Sequence, residues 1–146
     1  MAECSVTVKT WTTSCGDTGG SCQSHTNDAV FMSFWVHNAW TTEEIVFTSS
    51  SSGSMNTAST VLRGVPVKIR LRIDGADGWN FWKLRATLCG EEEIRVGSDG
   101  NSYSSTSWEH WLDGDGNAAA SSSASLEWYL CPANSVSPAG LFGLFC

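Results

Sequence analysis

The chain has 146 residues, with 15 acidic and 8 basic side chains and a formal net charge of -7. This length suits one domain, predicted over residues 1–146, which can bury about two thirds of the surface that the unfolded chain exposes. The acidic balance argues against non-specific binding to nucleic acid, because such binding requires a surplus of Lys and Arg. The longest apolar run is too short to cross a bilayer, so no transmembrane segment is predicted.

Apolar residues in the first half recur at every second position, which is the spacing of a β-strand. Val6 and Val8 show this alternation near the start of the chain. The nearly continuous apolar run Ala29–Val36 predicts a central strand that is covered on both faces. Glu44–Thr48 is predicted as the next strand. The polar tract Ser49–Ser54 has no core residue, and we expect it to be an exposed, mobile loop.

The second half shows the same alternation more regularly. Val67–Ile73 and Trp82–Leu88 each place apolar side chains on one side and basic side chains on the other. Further strands are predicted at Glu93–Val96 and Leu126–Cys131, and the spacing of apolar residues in Ser107–Leu112 favours a short helical turn. Together these segments predict an all-β domain, an antiparallel β-sandwich of about eight strands.

The cysteines are even in number and contain no C-x-x-C pair, which favours disulfides over a zinc site. The positions are Cys4, Cys15, Cys22, Cys89, Cys131 and Cys146. Their spacing suggests a staple between the termini, Cys4 to Cys146, and a small loop closed by Cys15 and Cys22, although the sequence leaves the pairing open. Disulfides predict a secreted protein, and without an apolar signal segment before Cys4 we expect a mature, processed chain.

Three blocks of sequence resemble the PLAT family, the β-sandwich domain of lipoxygenases, polycystins and certain lipases. VTVKTW, followed by a glycine-rich loop and HTNDAVFMSFWV, resembles the opening of these domains. GVPVKIRLRIDGADGWNFWKLRATL resembles the family's paired strands and their D-x-x-G-x-W turn, and SWEHWLDGDG is similar to its W-L segment. The blocks cover about half the chain, and the cysteines and length resemble small secreted single-PLAT proteins of plants. The resemblance implies a β-sandwich that binds lipid or membrane surfaces.

The same resemblance implies a calcium site formed by two acidic loops at one end of the sandwich. Calcium takes about six to eight oxygen ligands, which loops distant in sequence can supply together. The alternative is ordinary turn chemistry, since Asp-Gly and Asn-Asp are favoured turn formers. The implied ligands are Asn27, Asp28, Asp74 and Asp77, with backbone oxygens from Thr26 and Gly75.

A second acidic run, Asp113, Asp115 and Asn117 with glycines between, imitates the first ligand positions of an EF-hand. It lacks the glycine and the glutamate that complete an EF-hand loop, since Ala118 and Ala124 stand at those positions. We therefore predict a solvated turn here.

Eight tryptophans are many for a chain of this size. Trp35 and Trp82 occupy strand positions, where core packing is expected. Trp40 and Trp79 stand beside turn residues, where an exposed indole suits a membrane interface or a sugar ring. For Trp79 the alternative is packing against the sandwich, as the corresponding residue does in the family.

Basic residues are concentrated on the two central strands. Lys68, Arg70 and Arg72 alternate on one strand and Lys83 and Arg85 on the next, so we expect all five on one sheet surface. Such a surface attracts anionic lipid head groups or acidic glycans. The alternative is a solvated face balanced by Glu91, Glu92 and Glu93.

No nucleophile elbow, phosphate-binding loop or zinc-protease motif is present, so we do not predict an enzyme. The leading prediction is a secreted, non-catalytic binding module for lipid or membrane surfaces, assisted by calcium and a loop tryptophan. One alternative is a small lectin that binds glycans through the same loops. The other is a structural, protein-binding component of an extracellular matrix, contacting its partners through the serine-rich tracts and the tail with Phe142 and Phe145.

Overall fold

The computed structural model describes residues 3–14, 25–90, 93–96, 110–114 and 124–131. These residues form ten β-strands and no helix, which confirms the predicted antiparallel β-sandwich. No helix that would span a bilayer occurs in this part of the chain. The strands are β1 (Cys4–Thr12), β2 (Ala29–Val36), β3 (Ala39–Trp40), β4 (Glu44–Phe47), β5 (Met55–Leu62), β6 (Lys68–Asp74), β7 (Trp79–Leu88), β8 (Glu93–Val96), β9 (His110–Leu112) and β10 (Ser125–Cys131).

The strands form two sheets that are joined along one side only. The first sheet has β2 at its centre, with β6 and β10 on one side and β3 and β4 on the other; the second has the order β8, β7, β1, β5, with β9 also on β7. Strand β10 pairs with β6 through Ser125–Tyr129 and with β8 through Leu130 and Cys131, so it closes this side. On the other side the edge strands β4 and β5 face each other without pairing.

The core lies between the sheets because alternate residues of each strand point inward. In β6, Ile69, Leu71 and Ile73 are at most 2% exposed, while the three basic residues that alternate with them are half-buried on the outer face. In β7, Trp79 and Phe81 are fully buried and stack with ring centroids 4.3 Å apart. Large aromatic rings therefore fill the centre of the sandwich.

Where alternation is clear, the predicted strands match the observed ones. Strand β2 has the predicted bounds, and β4, β6, β7, β8 and β10 lie within three residues of prediction. Strand β5, Met55–Leu62, was not predicted because its inward positions carry only small or polar residues before Leu62. The helical turn predicted at Ser107–Leu112 is wrong for His110–Leu112, which pairs with Trp79–Phe81 and so takes its hydrogen bonds from a sheet.

The described disulfide joins Cys4 to Cys89, so the predicted pairing of Cys4 with Cys146 is wrong. The start of β1 and the turn after β7 are neighbours in the second sheet, where the Cys89 N–H donates to the Ser5 carbonyl over 2.7 Å. This pairing brings the two Cα atoms to 4.3 Å. Cys15, Cys22 and Cys146 lie outside the described residues, and for Cys131 the structure describes the backbone alone, so the predictions for these four cysteines stay predictions.

The sandwich has two ends, which the strand register separates. We call the loops that carry Asp28, Asp77 and Asp113 the acidic end, and the turn after β2 together with the loop 63–67 the hairpin end. Ala29 pairs with Asp74 at the first end, and Trp35 pairs with Lys68 near the second. Six residues of β-strand separate them, which corresponds to about 20 Å.

Candidate functional site

At the acidic end, two of the predicted calcium loops hold each other by reciprocal hydrogen bonds. The Asp77 N–H donates to Asp28 Oδ2 and the Asn27 N–H donates to Asp77 Oδ2, each over 2.7 Å. The Thr26 hydroxyl donates to the Asp77 carbonyl over 2.6 Å. The structure thus brings together Thr26, Asn27, Asp28 and Asp77, as the resemblance implies.

Two glycines allow a third segment to reach the same place. Gly75 has φ +133°, and the Asp28 carboxylate lies where a Cβ on this residue would stand. The Gly114 N–H donates to the Gly75 carbonyl over 2.9 Å. Asp113 beside it is 3% exposed, so the prediction of a solvated turn is wrong for this residue. Asp115 and Asn117 lie outside the described residues.

The six implied calcium ligands do not form one cluster around a common centre. The Asp74 side chain is 67% exposed and turns towards Arg72, with 3.6 Å between Oδ1 and Nη1. The Gly75 carbonyl already accepts a hydrogen bond from Gly114. Among the residues described, no three His, Cys, Asp or Glu side chains are placed to hold a metal. Calcium binding stays a prediction.

A buried hydroxyl network lies beneath these loops. Ser50 is 6% exposed, and its Oγ is 2.6 Å from Thr12 Oγ1 and accepts from Asn56 Nδ2 over 2.9 Å. Backbone hydrogen bonds in both directions tie Ser50 to Thr26. The expectation of a mobile loop without core residues is therefore wrong at Ser50. The sequence carried no signal for this residue, because all the serines of the tract look alike.

Trp79 belongs to the core and is not a ligand contact. It is fully buried, its ring packs edge-on against Phe47 at 4.9 Å, and its Nε1 donates to Thr12 Oγ1 over 2.9 Å. The packing alternative is confirmed and the expected ligand contact is wrong. The register explains the burial, since Trp79 pairs with Leu112 and starts β7 facing inward.

The five basic residues predicted to share one surface lie on two different sheets. Lys68, Arg70 and Arg72 are in β6 of the first sheet, whereas Lys83 and Arg85 are in β7 of the second sheet. The loop 75–78 crosses from one sheet to the other instead of forming a hairpin. Their outward side chains therefore point away from the sandwich on opposite sides.

The outer face of the first sheet interleaves these cations with aromatic rings, and we call it the aromatic–basic face. It comprises Phe31, Trp35, Trp40, Lys68, Arg70 and Arg72. The Trp35 and Trp40 rings meet edge to face at 5.3 Å, and Lys68 Nζ stands 4.8 Å and 5.4 Å from their centroids. The Arg70 guanidinium covers the Trp40 ring at 3.9 Å. Trp40 is thus in a strand and half-buried, where an exposed loop position had been predicted.

Two arginines of the aromatic–basic face are also paired with acids. Arg70 Nη2 is 2.9 Å from Glu127 Oε1. Arg72 binds Glu43 through two hydrogen bonds of 2.7 Å and 3.0 Å. The hydrogen bond from Arg72 lowers the pKa of Glu43, and the same bond raises the pKa of Arg72. These charges are therefore largely balanced within the protein, by two acids that the solvated-face alternative did not name.

Exposed apolar side chains lie at the hairpin end, beside the aromatic–basic face. Val61, Val65 and Val67 are 58%, 63% and 51% exposed. The Val67 N–H donates to the Trp35 carbonyl over 3.0 Å, which places the loop next to the tryptophan pair. Val67 was predicted to face inward with Ile69, but it precedes β6 and does not follow its alternation. The segment GVPV was the available signal, since two valines flank a proline between strands.

The tryptophan and the acidic loops of the predicted calcium-assisted mechanism are at opposite ends. Trp40 pairs with Trp35 near the hairpin end, while Asp28 and Asp77 lie about 20 Å away along β2. One bilayer surface cannot be contacted by both in the way that the sequence suggested. The two features therefore form separate candidate sites.

Comparison with known proteins finds likeness only in three dimensions. No family model and no curated protein matches the sequence. A crystal structure of a LOX variant with an internal deletion matches with a TM-score of 0.58 and 12% identity, over 90% of this chain and 16% of that chain. A related structure in complex with arachidonate matches with a TM-score of 0.53 and 12% identity, over 88% and 16%.

The chain thus spans about a sixth of the length of the lipoxygenases it matches. The match is to their small PLAT-like part and not to their catalytic domain. At this identity the likeness shows the fold alone, which is a β-sandwich consistent with the PLAT type.

Proposed function

We propose that this protein is a non-catalytic binding module that attaches to lipid or membrane surfaces through its hairpin end. The observation that carries the proposal is the exposure of Val65 and Val67 beside Trp35, Trp40 and Lys68. In a bilayer surface the acyl chains, the interface and the head groups follow one another within a few ångströms. The valine side chains suit the acyl layer, the indole rings suit the interface, and the lysine suits the head groups.

The magnitudes favour reversible attachment. Full burial of a valine side chain contributes about 1.5–3 kcal/mol, and a lysine near an anionic surface contributes about 1 kcal/mol. Two valines and Lys68 would therefore support weak to moderate binding. Salt would screen the attraction between Lys68 and an anionic surface, and the net charge of -7 of the whole chain keeps the attachment weak. The PLAT-like fold of the lipoxygenase neighbours is consistent with this assignment.

The glycan alternative gains less support from the site. A sugar ring stacks on an open aromatic face, and the Arg70 guanidinium lies 3.9 Å from the Trp40 ring centroid. A glycan would have to displace a cation that is also bound to Glu127. No observation on the described residues favours the matrix alternative over membrane attachment.

Calcium assistance and secretion accompany the proposal as separate predictions. The three loops that meet at the acidic end support a test for calcium, and the Cys4–Cys89 disulfide supports an oxidising compartment. Millimolar calcium should raise the unfolding midpoint if the ion binds only to the folded state. An unchanged midpoint would contradict calcium binding to the folded protein and would not bear on attachment by the hairpin end.

The test is co-sedimentation with vesicles of mixed anionic and zwitterionic lipid, with and without a calcium chelator. We expect Val65→Glu/Val67→Glu to lower the bound fraction at least roughly tenfold, because both insertion and charge become unfavourable. The matched control is Ile45→Glu/Met55→Glu, which adds the same charge at exposed apolar residues away from the hairpin end. Equal loss in both variants, or no binding by the unaltered protein, would overturn the proposal.

A further inference from the structure

We propose that a cleft on the open side of the sandwich binds one single-chain anionic amphiphile, with its carboxylate at Arg63 and its apolar chain between β5 and the β3–β4 segment. This site differs from the surface of the proposed function, although it opens at the same end. The ligand is identified by chemistry alone, as an unbranched apolar chain that ends in one negative group.

The cleft exists because the two sheets are joined only along β10. On the opposite side β4 and β5 are in contact, but each pairs only with a strand of its own sheet. The inward residues of β5 are small near this edge, with Ala58 and Thr60 before Leu62. The space between the edges measures about 480 Å³, within the range of about 300–1,000 Å³ typical of small-molecule sites.

The floor of the cleft is apolar and belongs to the core. Phe34, Val36 and Leu62 line it and are 1%, 9% and 7% exposed. Ala39 and Thr41 form part of the wall on the first sheet. Thr42, Glu44 and Thr60 line the polar edge of the cleft and are exposed or half-buried. An apolar chain would cover the floor alone, whereas a sugar or a nucleotide would place polar groups against it without hydrogen-bond partners.

A tight turn lies at the mouth of the cleft. His37 and Asn38 both have positive φ, 51° and 64°, and form the tight turn between β2 and β3. The His37 Nε2 is 3.0 Å from the Arg63 carbonyl. Its ring packs against Gly64, where any Cβ would collide with it. The turn of the first sheet is thus fastened to the end of β5 in the second.

The charges along the cleft set the direction of the ligand. Arg63 lies at the mouth, is exposed, and makes no ion pair with any residue in the described ranges. Glu44 lies further along the cleft, where it pairs with Met32 of β2. Met32 is four residues, or about 14 Å, from Val36 at the mouth. A negative head group is favoured at Arg63 and disfavoured near Glu44, so the chain should point from Arg63 towards Glu44.

The test is isothermal titration with dodecanoate, and with dodecanol as the neutral analogue, both below their aggregation concentrations. We expect saturable one-to-one binding of dodecanoate and weaker binding of dodecanol. Arg63→Gln should weaken dodecanoate roughly tenfold or more and leave dodecanol unchanged, since only the head-group interaction is lost. The charge-matched control, Lys9→Gln on the outer face of the second sheet, should change neither ligand.

Blocking the cleft gives a second, independent measurement. Ala39→Phe places a ring over the floor from an exposed strand position and should abolish binding of both ligands. A melting curve checks that the variant folds; if it does not, the comparison of Arg63→Gln with Lys9→Gln decides. Equal effects of those two variants on dodecanoate, or full binding by a folded Ala39→Phe protein, would overturn the proposal.

The two proposals fail separately. Val65→Glu/Val67→Glu should lose vesicles and keep dodecanol, whose neutral head group is not repelled by the two new carboxylates near Arg63, while Ala39→Phe should lose dodecanol and keep most vesicle binding. If Val65→Glu/Val67→Glu abolished the binding of both vesicles and dodecanol, the amphiphile would be binding at the surface and the cleft proposal would be wrong. If vesicles are not bound but dodecanoate is, the cleft stands without the membrane surface.

Discussion

The two ends of this sandwich are stabilised by different means. At the acidic end, three loops are held by hydrogen bonds among Asp28, Asp77, Gly75 and Gly114, above the buried pair of Thr12 and Ser50. At the hairpin end, a disulfide fastens β1 to the turn after β7, and apolar side chains face the solvent. The difference separates a polar junction, in which most groups are hydrogen-bonded to each other, from a surface on which apolar side chains of the described residues stay exposed to solvent.

This contrast bears on where a ligand can bind. Polar groups that already pair within the protein gain little from a new partner, because binding exchanges one hydrogen bond for another. Exposed valines gain from leaving water. The Arg63 guanidinium, which makes no ion pair with the described residues, gains from meeting an opposite charge. The hairpin end is therefore the stronger candidate for a lipid, and the acidic end is the stronger candidate for a structural role.

Removing the disulfide, which lies at the hairpin end, should lower the free energy of unfolding more than any of the changes that follow. Cys4→Ser/Cys89→Ser opens a loop with a sequence separation of 85 residues, and the chain-entropy estimate for its closure is about 4–5 kcal/mol. Urea unfolding of the variant and of the unaltered protein under non-reducing conditions measures the loss. We also expect amide exchange to rise more in Val6 and Leu88 than in residues of the acidic end. A loss below about 1 kcal/mol would show that the staple contributes little.

Gly75→Ala should cause the second largest loss of stability, because it strains the acidic end alone. The substitution combines a positive φ with a collision against the Asp28 carboxylate, so we expect a loss of about 3 kcal/mol. Gly90→Ala is the matched control, since Gly90 has φ +74° and nothing within 4 Å of the new Cβ. Thermal melting compares the two. Similar losses in both variants would contradict the close packing of the three loops.

Thr12→Val tests the buried hydroxyl network beneath the acidic end. The Trp79 Nε1 loses its acceptor and Ser50 loses a partner, which should cost about 1–3 kcal/mol. Thr7→Val removes a hydroxyl from the exposed pair with Ser59 and should be nearly neutral. Denaturant unfolding of both variants gives the comparison. If Thr12→Val were as mild as Thr7→Val, the network would not stabilise the junction.

The smallest effect should come from the ion pair of Glu43 and Arg72 on the aromatic–basic face. The pKa of Glu43 is lowered in the folded state, so its contribution is present above its ordinary value of 4.5 and disappears as the pH falls through the folded pKa. Both side chains are more than a third exposed, so Glu43→Gln should cost less than about 1 kcal/mol at pH 7 and nothing at the acid limit. An equal cost at both pH values would contradict the ion pair.

Strict alternation made most of the fold predictable from the sequence. Strand β6 shows why, because Ile69, Leu71 and Ile73 are separated by basic residues that only the outer face accepts. Strand β5 was missed because Asn56, Ala58 and Thr60 give no apolar signal, although their backbone pairs with β1 along its whole length. A short strand such as β9 forms because a neighbouring strand, here β7, supplies its hydrogen-bond partners. Its own sequence is too short to show an alternating pattern.

The candidate sites were less predictable, since they depend on which loops meet. The resemblance placed Asp28 and Asp77 together correctly, but it gave no indication that Gly114 reaches Gly75. Trp40 and Trp79 looked alike beside their turns, yet one packs at the surface and the other is fully buried. Whether a side chain is exposed depends on which residues pack against it in the tertiary structure. The local sequence does not identify those residues.

By itself the sequence determined the strand periods, most of the inward-facing residues in the regular strands and the all-β class, because each depends on neighbours two residues away. The tertiary structure decided that Cys4 meets Cys89, that β6 and β7 belong to different sheets and that one side of the sandwich stays open. Those features depend on contacts between residues far apart in the chain. Their physical basis is the burial of a shared core, which selects one arrangement of strands from many with the same local pattern.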